Sequence, residues 1–165
     1  MKTSNVGIQL IQEFESLHDG DLTMIGLQPK MDPIGIWTEG YGHAMRDSKG
    51  NFLKGIANKA LAYKSAKVKT KAEATKLMLQ DLDPREHIVM QKIKVPLNQN
   101  QFDALVSYVY NTGGSSTLYK LINNRASEAS IRKWIETKYI TADGVQLRGL
   151  IRRRKAESNL YFTKI

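Results

Sequence analysis

With 165 residues, 41% of them hydrophobic and 25% charged, the chain has the composition of one globular domain able to bury its own core. The absence of cysteine excludes disulfides, zinc–thiolate sites and thiol catalysis. A formal net charge of +9 points to a polyanionic partner, for which nucleic acid, an anionic cell wall and an acidic membrane surface all qualify.

From Ser4 to about Leu17, Val6, Ile8, Leu10, Ile11, Phe14 and Leu17 recur at helical spacing, with Ser4 as the expected N-cap. On the helical wheel Glu15 falls between Ile11 and Ile8, inside the apolar arc. Two readings are open. Burial there would raise the carboxyl pKa, as a general acid needs, or Glu15 sits at the edge of the arc and pairs with a surface Lys or Arg.

Ser16 to Met31, punctuated by Asp19-Gly20-Asp21, Gly26 and Pro29, reads as loop. Ile34 to Met45 alternates in strand fashion, Asp47-Ser48-Lys49-Gly50 makes a turn, and Asn51-Phe52-Leu53 returns as a partner strand. The rest reads helical. Thr70-Lys71-Ala72-Glu73 is a capping box, and Pro84 is expected to break or restart the helix it opens. Asn98 to Gln101 is a second cap signature before Phe102, Leu105, Val106 and Val109, and Thr112-Gly113-Gly114 stops that helix. Short helices from about Ser116 and Ser127 and a basic one from about Gln146 to Phe162 complete the chain. The fold class is α+β, a small β-hairpin lobe near the N-terminus on a mainly helical body.

The dense cluster Arg152-Arg153-Arg154-Lys155 lies on a predicted helix and the other lysines are scattered, which favours a solvated basic surface over a nucleic-acid groove. Neither a signal peptide nor a membrane-spanning stretch is evident, so the expected place of synthesis and storage is the cytoplasm.

The chemistry-bearing residues concentrate in Glu15 and the run D-P-I-G-I-W-T-E-G-Y-G-H from Asp32 to His43. An acid on a helix facing an Asp and a Thr is what inverting hydrolysis of a glycosidic bond requires: one carboxyl protonates the leaving oxygen, the other orients water. Each member also has a structural explanation. Asp32 before Pro33 starts turns, Thr38 is an ordinary strand residue, and His43 suits a packed or hydrogen-bonded core position. The even Asp32-to-Thr38 step would put both on one strand face, although Pro33 and Gly35 interrupt it.

The string F-E-S…M-D-P-I-G-I-W-T-E-G-Y-G-H closely resembles the active-site signature of phage-type lysozymes, the endolysins of glycoside hydrolase family 24. Gln80-Asp81-Leu82, the run P-L-N-Q-N-Q-F-D-A-L-V-S-Y-V-Y-N-T-G-G from Pro96, and G-L-I-R-R-R-K-A-E from Gly149 are similar to its later motifs, in the same order. The resemblance implies a single lysozyme-like catalytic domain over 1–165, with a β-lobe at about 16–65 and a helical lobe at about 70–165 plus the first helix. It implies Glu15 as general acid, Asp32 as second carboxylate and Thr38 as the hydroxyl that positions water. His43 would be structural, bonded to Asp81; Arg153 would reach the catalytic Glu, with Arg152 and Arg154 as alternative assignments; Tyr110 and Asn111 would line the saccharide cleft. The implied substrate is the β-1,4 bond between N-acetylmuramic acid and N-acetylglucosamine in bacterial peptidoglycan, with no metal or organic cofactor and a monomeric enzyme. The protein would wait in the host cytoplasm until a separate membrane-permeabilising protein lets it reach the wall. A lytic transglycosylase and a non-enzymatic wall- or membrane-disrupting basic protein are the alternatives. Three departures stand out: a Glu15-to-Asp32 gap longer than usual, Ser16 in place of Gly, and Glu39, expected to point away from Thr38 towards solvent.

Overall fold

The structure, a computed structural model, describes residues 1–142 and 144–164. The chain forms two compact units, Glu15–Asp81 and the combination of Met1–Phe14 with Leu82–Ile165.

The Glu15–Asp81 unit holds a three-stranded antiparallel sheet of β1 (Lys30–Met31), β2 (Trp37–Glu39) and β3 (His43–Ala44). Lys30 pairs with Thr38, Thr38 with Ala44 and Glu39 with His43. The return segment is present as isolated bridges, Phe52 to Arg46 and, just beyond, Lys54 to Ile36. A 3-10 turn, Ile56–Asn58, leads into α2 (Lys59–Ser65). Trp37, Met45, Leu53 and Ala62 form the core of this unit, with Tyr63 edge-on to Trp37 and the indole N–H donating to the Gly55 carbonyl at 2.9 Å. The Ser16–Met31 segment is loop up to β1 and is pinned at its base. Leu27 N–H donates to Lys69 O (2.9 Å), and Lys69 Nζ donates to Gln28 Oε1 (3.0 Å). Its tip leaves Leu22 and Ile25 fully in solvent.

In the other unit, α1 (Asn5–Glu15, its last residue excepted) is anchored by its leading residues. Ser4 N–H donates to Asp103 Oδ1 at 3.0 Å, and Thr3 donates to Glu86 Oε1 through both N–H and hydroxyl at 2.8 Å. The apolar stripe of α1 is narrower than the periodicity predicts: Gly7 and Ile11 are buried, whereas Val6 is half exposed. A Cβ at Gly7 would lie 2.8 Å from Asp103 Cβ, so the helix approaches there too closely for any side chain.

Helix α3 (Lys71–Lys92) opens on the Thr70 capping box, with Glu73 N–H donating to Thr70 Oγ1 and Thr70 N–H to Glu73 Oε2. The expected break at Pro84 does not occur, and one 22-residue helix runs through it. Proline removes one backbone bond and crowds the preceding turn, a penalty of about 3 kcal/mol. Buried Met78, Leu82 and Val89 on either side keep the helix continuous in spite of it. Helix α4 (Gln99–Thr112) carries a complete capping box at Asn98 and a left-handed Gly113 at its end, and is buried continuously from Phe102 to Val109. Helices α5 (Ser116–Asn123) and α6 (Glu128–Thr137) follow Ser115 and Ser127 caps. A short hairpin, β4 (Thr141–Ala142) with β5 (Val145–Gln146), was not expected from the sequence. Helix α7 (Arg148–Phe162) packs on α4 and α6.

The arginine run at the start of α7 is not the solvated face expected of it. Arg152 and Lys155 are exposed, but Arg153 and Arg154 are buried with Glu157, one helical turn on. Glu157 Oε1 accepts from Arg153 Nε (3.1 Å) and Ser107 Oγ (2.7 Å), and Arg154 Nε is 3.2 Å from Oε2. Burial pushes the Glu157 carboxyl up from its ordinary value, against the pull of Arg154 and Arg153.

Candidate active site

Glu15 is the last residue of α1, and Ser16 after it is left-handed (φ 59°), which stops the helix and turns the chain into the loop. This is the conformation glycine takes most readily, which gives the departure at position 16 a physical meaning. Glu15 is half-buried rather than enclosed, and it borders an open cleft. Gly42, with φ 82° in the β2–β3 turn, lies against it: a Cβ at Gly42 would stand 3.1 Å from Glu15 Oε2.

Asp32 and Thr38 reach the same cleft by a hairpin, not by alternation along one strand. β1 ends at Met31, and Asp32 folds residues 32–36 into a turn by accepting from Ile34 N–H (3.0 Å) and Ile36 N–H (2.8 Å) at Oδ1. Its own N–H donates to Ile36 O at 2.8 Å. Thr38, on β2, is 4% exposed, and its hydroxyl donates to the Lys30 carbonyl at 2.9 Å. The cleft, about 500 Å³, is lined by Glu15, His18, Lys30, Met31, Asp32, Pro33, Thr38 and Gly42. All eight belong to one compact unit, and three of them are the residues the sequence pattern singles out for acid/base chemistry.

His18 was not anticipated. Its Nδ1 lies 2.7 Å from Thr38 Oγ1, and its backbone N–H donates to Gly40 O at 2.8 Å. Burial first, and then the charge of Lys30, hold its imidazole below the ordinary histidine value. No periodic or motif signal in S-L-H-D-G marks it.

His43 stands outside the cleft lining. Its Nδ1 is 2.9 Å from Asp81 Oδ2, and this bond raises its pKa above the ordinary value. Glu39 is corrected outright: it is 4% exposed, not solvent-facing. Its Oε2 accepts from Lys67 N–H (2.8 Å) and Val68 N–H (3.0 Å), so the carboxylate satisfies a loop whose buried amides need an acceptor. Tyr110, Asn111 and Arg153 belong to the other unit. There the Arg85 guanidinium lies 5.4 Å from the centroid of the Tyr110 ring, and Asn111 Oδ1 accepts from Arg154 Nη2 at 2.8 Å. Arg153, besides holding Glu157, donates to Ser107 O at 3.3 Å.

The family model described as phage lysozyme matches residues 23–157, most of the chain. The chain belongs to the phage lysozyme family. It is 30% identical to the endolysin of Acyrthosiphon pisum secondary endosymbiont phage 1, with 98% of each chain covered. Two solved structures are similar over nearly the whole length. The muramidase domain of SpmX from Asticaccaulis excentricus has 29% identity, a TM-score of 0.74 and 99% of each chain covered. The endolysin from Escherichia coli O157:H7 phage FAHEc1 has 29% identity and a TM-score of 0.73, with 98% of this chain and 94% of that one covered. A lysozyme-type glycoside hydrolase is thus the activity that goes with this fold and family.

Proposed function

We propose that the cleft of the Glu15–Asp81 unit hydrolyses the β-1,4 bond between N-acetylmuramic acid and N-acetylglucosamine in peptidoglycan, with inversion at the anomeric carbon. The observation that carries this reading is the presence of Glu15, Asp32 and Thr38 on one cleft of about 500 Å³. Glu15 gives its proton to the leaving glycosidic oxygen. Asp32 takes a proton from the water that attacks the opposite face of the sugar, so the two carboxyls exchange protonation states over one turnover. Thr38 can hold that water only as an acceptor, because its single hydrogen is committed to Lys30 O. With Asp32 and Thr38 both accepting, the water donates both hydrogens and keeps a lone pair for the anomeric carbon.

His43 and Asp81 tie β3 to the first half of α3 and serve as support. The burial of Arg153 and Arg154 favours this enzymatic reading over lysis by a basic helix, because α7 presents only Arg152 and Lys155 of its cluster to solvent. The exposed lysines would favour adsorption to an anionic wall, an attraction that weakens with salt.

The test is turbidity clearing of purified peptidoglycan by the wild type, Glu15→Gln and Asp32→Asn, with mass spectrometry and NMR of the products. Both substitutions should abolish clearing, and wild-type products should carry a reducing muramic acid first released as the α-anomer. A 1,6-anhydro product would overturn the hydrolase mechanism in favour of transglycosylation, and a β-anomer would overturn inversion.

A further inference from the structure

The cleft holds an imidazole that the roles of Glu15, Asp32 and Thr38 leave unused. His18 follows α1 by three residues and is fixed by its own backbone bond to Gly40 O. Its side chain meets Thr38 Oγ1 at 2.7 Å, while that hydroxyl lies 2.9 Å from the Lys30 carbonyl. A carbonyl can only accept, and a hydroxyl owns one hydrogen. The Thr38 hydrogen therefore points at Lys30, and the contact with His18 must run from Nδ1–H into Oγ1. The contact thus places a hydrogen on Nδ1, and the Glu15 backbone carbonyl is a second acceptor beside the ring.

Around Oγ1 three of the four tetrahedral directions are then used, by Cβ, by the hydrogen to Lys30 and by the lone pair that takes Nδ1–H. One lone pair remains. A hydroxyl held from two sides cannot rotate to offer its hydrogen instead, and its remaining acceptor direction is fixed by the protein before any substrate arrives. The charged groups facing His18 are Glu15 at the end of α1, Lys30 on β1 and Asp32 in the following turn.

We propose that His18 is a positioning residue of the hydrolysis: its Nδ1–H, together with the Lys30 carbonyl, locks the Thr38 hydroxyl as a pure acceptor aimed at the attacking water. The proposal rests on the reading of Thr38 given above and deepens it. In this role His18 moves no proton. Its action on the water passes through Oγ1, one atom that a single substitution removes.

The experiment is a double-substitution cycle on solubilised glycan strands with His18→Ala, Thr38→Val and the pair, together with His18→Asn and a melting curve for each. The Asn amide N–H stands close to where Nδ1–H stands and can donate to Oγ1. His18→Ala should lower kcat about 10- to 100-fold, as loss of orientation at a reacting group does. KM should stay within about twofold, because binding is not what His18 supplies. His18→Asn should recover most of kcat. In the Thr38→Val background His18→Ala should cost nothing further.

Wild-type kcat in His18→Ala, an undiminished further loss in the Thr38→Val background, or no rescue by a normally folded His18→Asn would each overturn the proposal. Wild-type activity in Thr38→Val would remove the role of Thr38 and this proposal with it. Activity retained in Glu15→Gln would instead refute the assignment of the acid, so the two failures are told apart.

Discussion

Gly42 offers a clean way to ask whether the Glu15 carboxylate does the chemistry. It is left-handed (φ 82°), and a methyl group there would stand 3.1 Å from Glu15 Oε2, a few tenths of an ångström inside ordinary contact. Gly42→Ala therefore has two effects, left-handed strain of about 1–2 kcal/mol and a push on the carboxylate. Gly50 separates them. It is equally left-handed (φ 84°), and a Cβ there meets nothing within 4 Å. Both variants should lose about 1–2 kcal/mol, or about 2–8 °C in Tm for a chain of this size. Only Gly42→Ala should lose activity. If a misplacement of 1 Å can cost about 100-fold, one of 0.3–0.5 Å costs about 4- to 10-fold in kcat. The assay is initial clearing rate at saturating peptidoglycan, measured well below both melting points. Equal kcat in the two variants would refute the placement of the reacting carboxyl beside Gly42.

Ser16→Gly removes the left-handed strain at the end of α1 and should raise stability by up to about 1 kcal/mol with activity unchanged, read from a urea midpoint. His43→Gln should destabilise in a pH-dependent way. The folded-state pKa of His43 is raised by Asp81 above 6.5, so its charged contribution is complete below about pH 6.5 and fades as pH rises through the folded value. The stability gap between wild type and His43→Gln should thus be wider at about pH 5.5 than at about pH 8.5, and a constant gap would count against the ion pair. Glu157→Ala strips the counter-charge from buried Arg153 and Arg154 and should cost about 3–5 kcal/mol, a loss visible in thermal melts; a cost under about 1 kcal/mol would contradict the buried pairing.

What could be read from the sequence was what local rules decide. The boxes at Thr70 and Asn98 announce their helices because a polar cap three residues before Glu or Gln has few other uses. The interruption expected of the strand at Gly35 is there, and its φ is 85°. Reading failed where tertiary packing overrides a local rule. Pro84 is carried inside α3 by its buried flanks, and Glu39 leaves solvent because two amides far along the chain need its oxygen. In the arginine run, helical spacing to Glu157 decides which cations go inside, and a charge count cannot show that. The family motif pointed to Glu15, Asp32 and Thr38. His18 was out of reach because its only distinguishing feature is a bond to a residue 20 positions away.

In the proposed mechanism Asp32 divides its two oxygens between two jobs. Oδ1 is held by the amides of Ile34 and Ile36 and shapes the hairpin, which leaves Oδ2 for the water. An amide at this position has one workable orientation, because its NH₂ cannot accept from those backbone donors. Asn at position 32 would thus keep the turn while presenting a donor where the acceptor stood. The same chain, changed by one atom, becomes a folded protein that should grip glycan strands without cutting them, usable as a stain for bacterial walls.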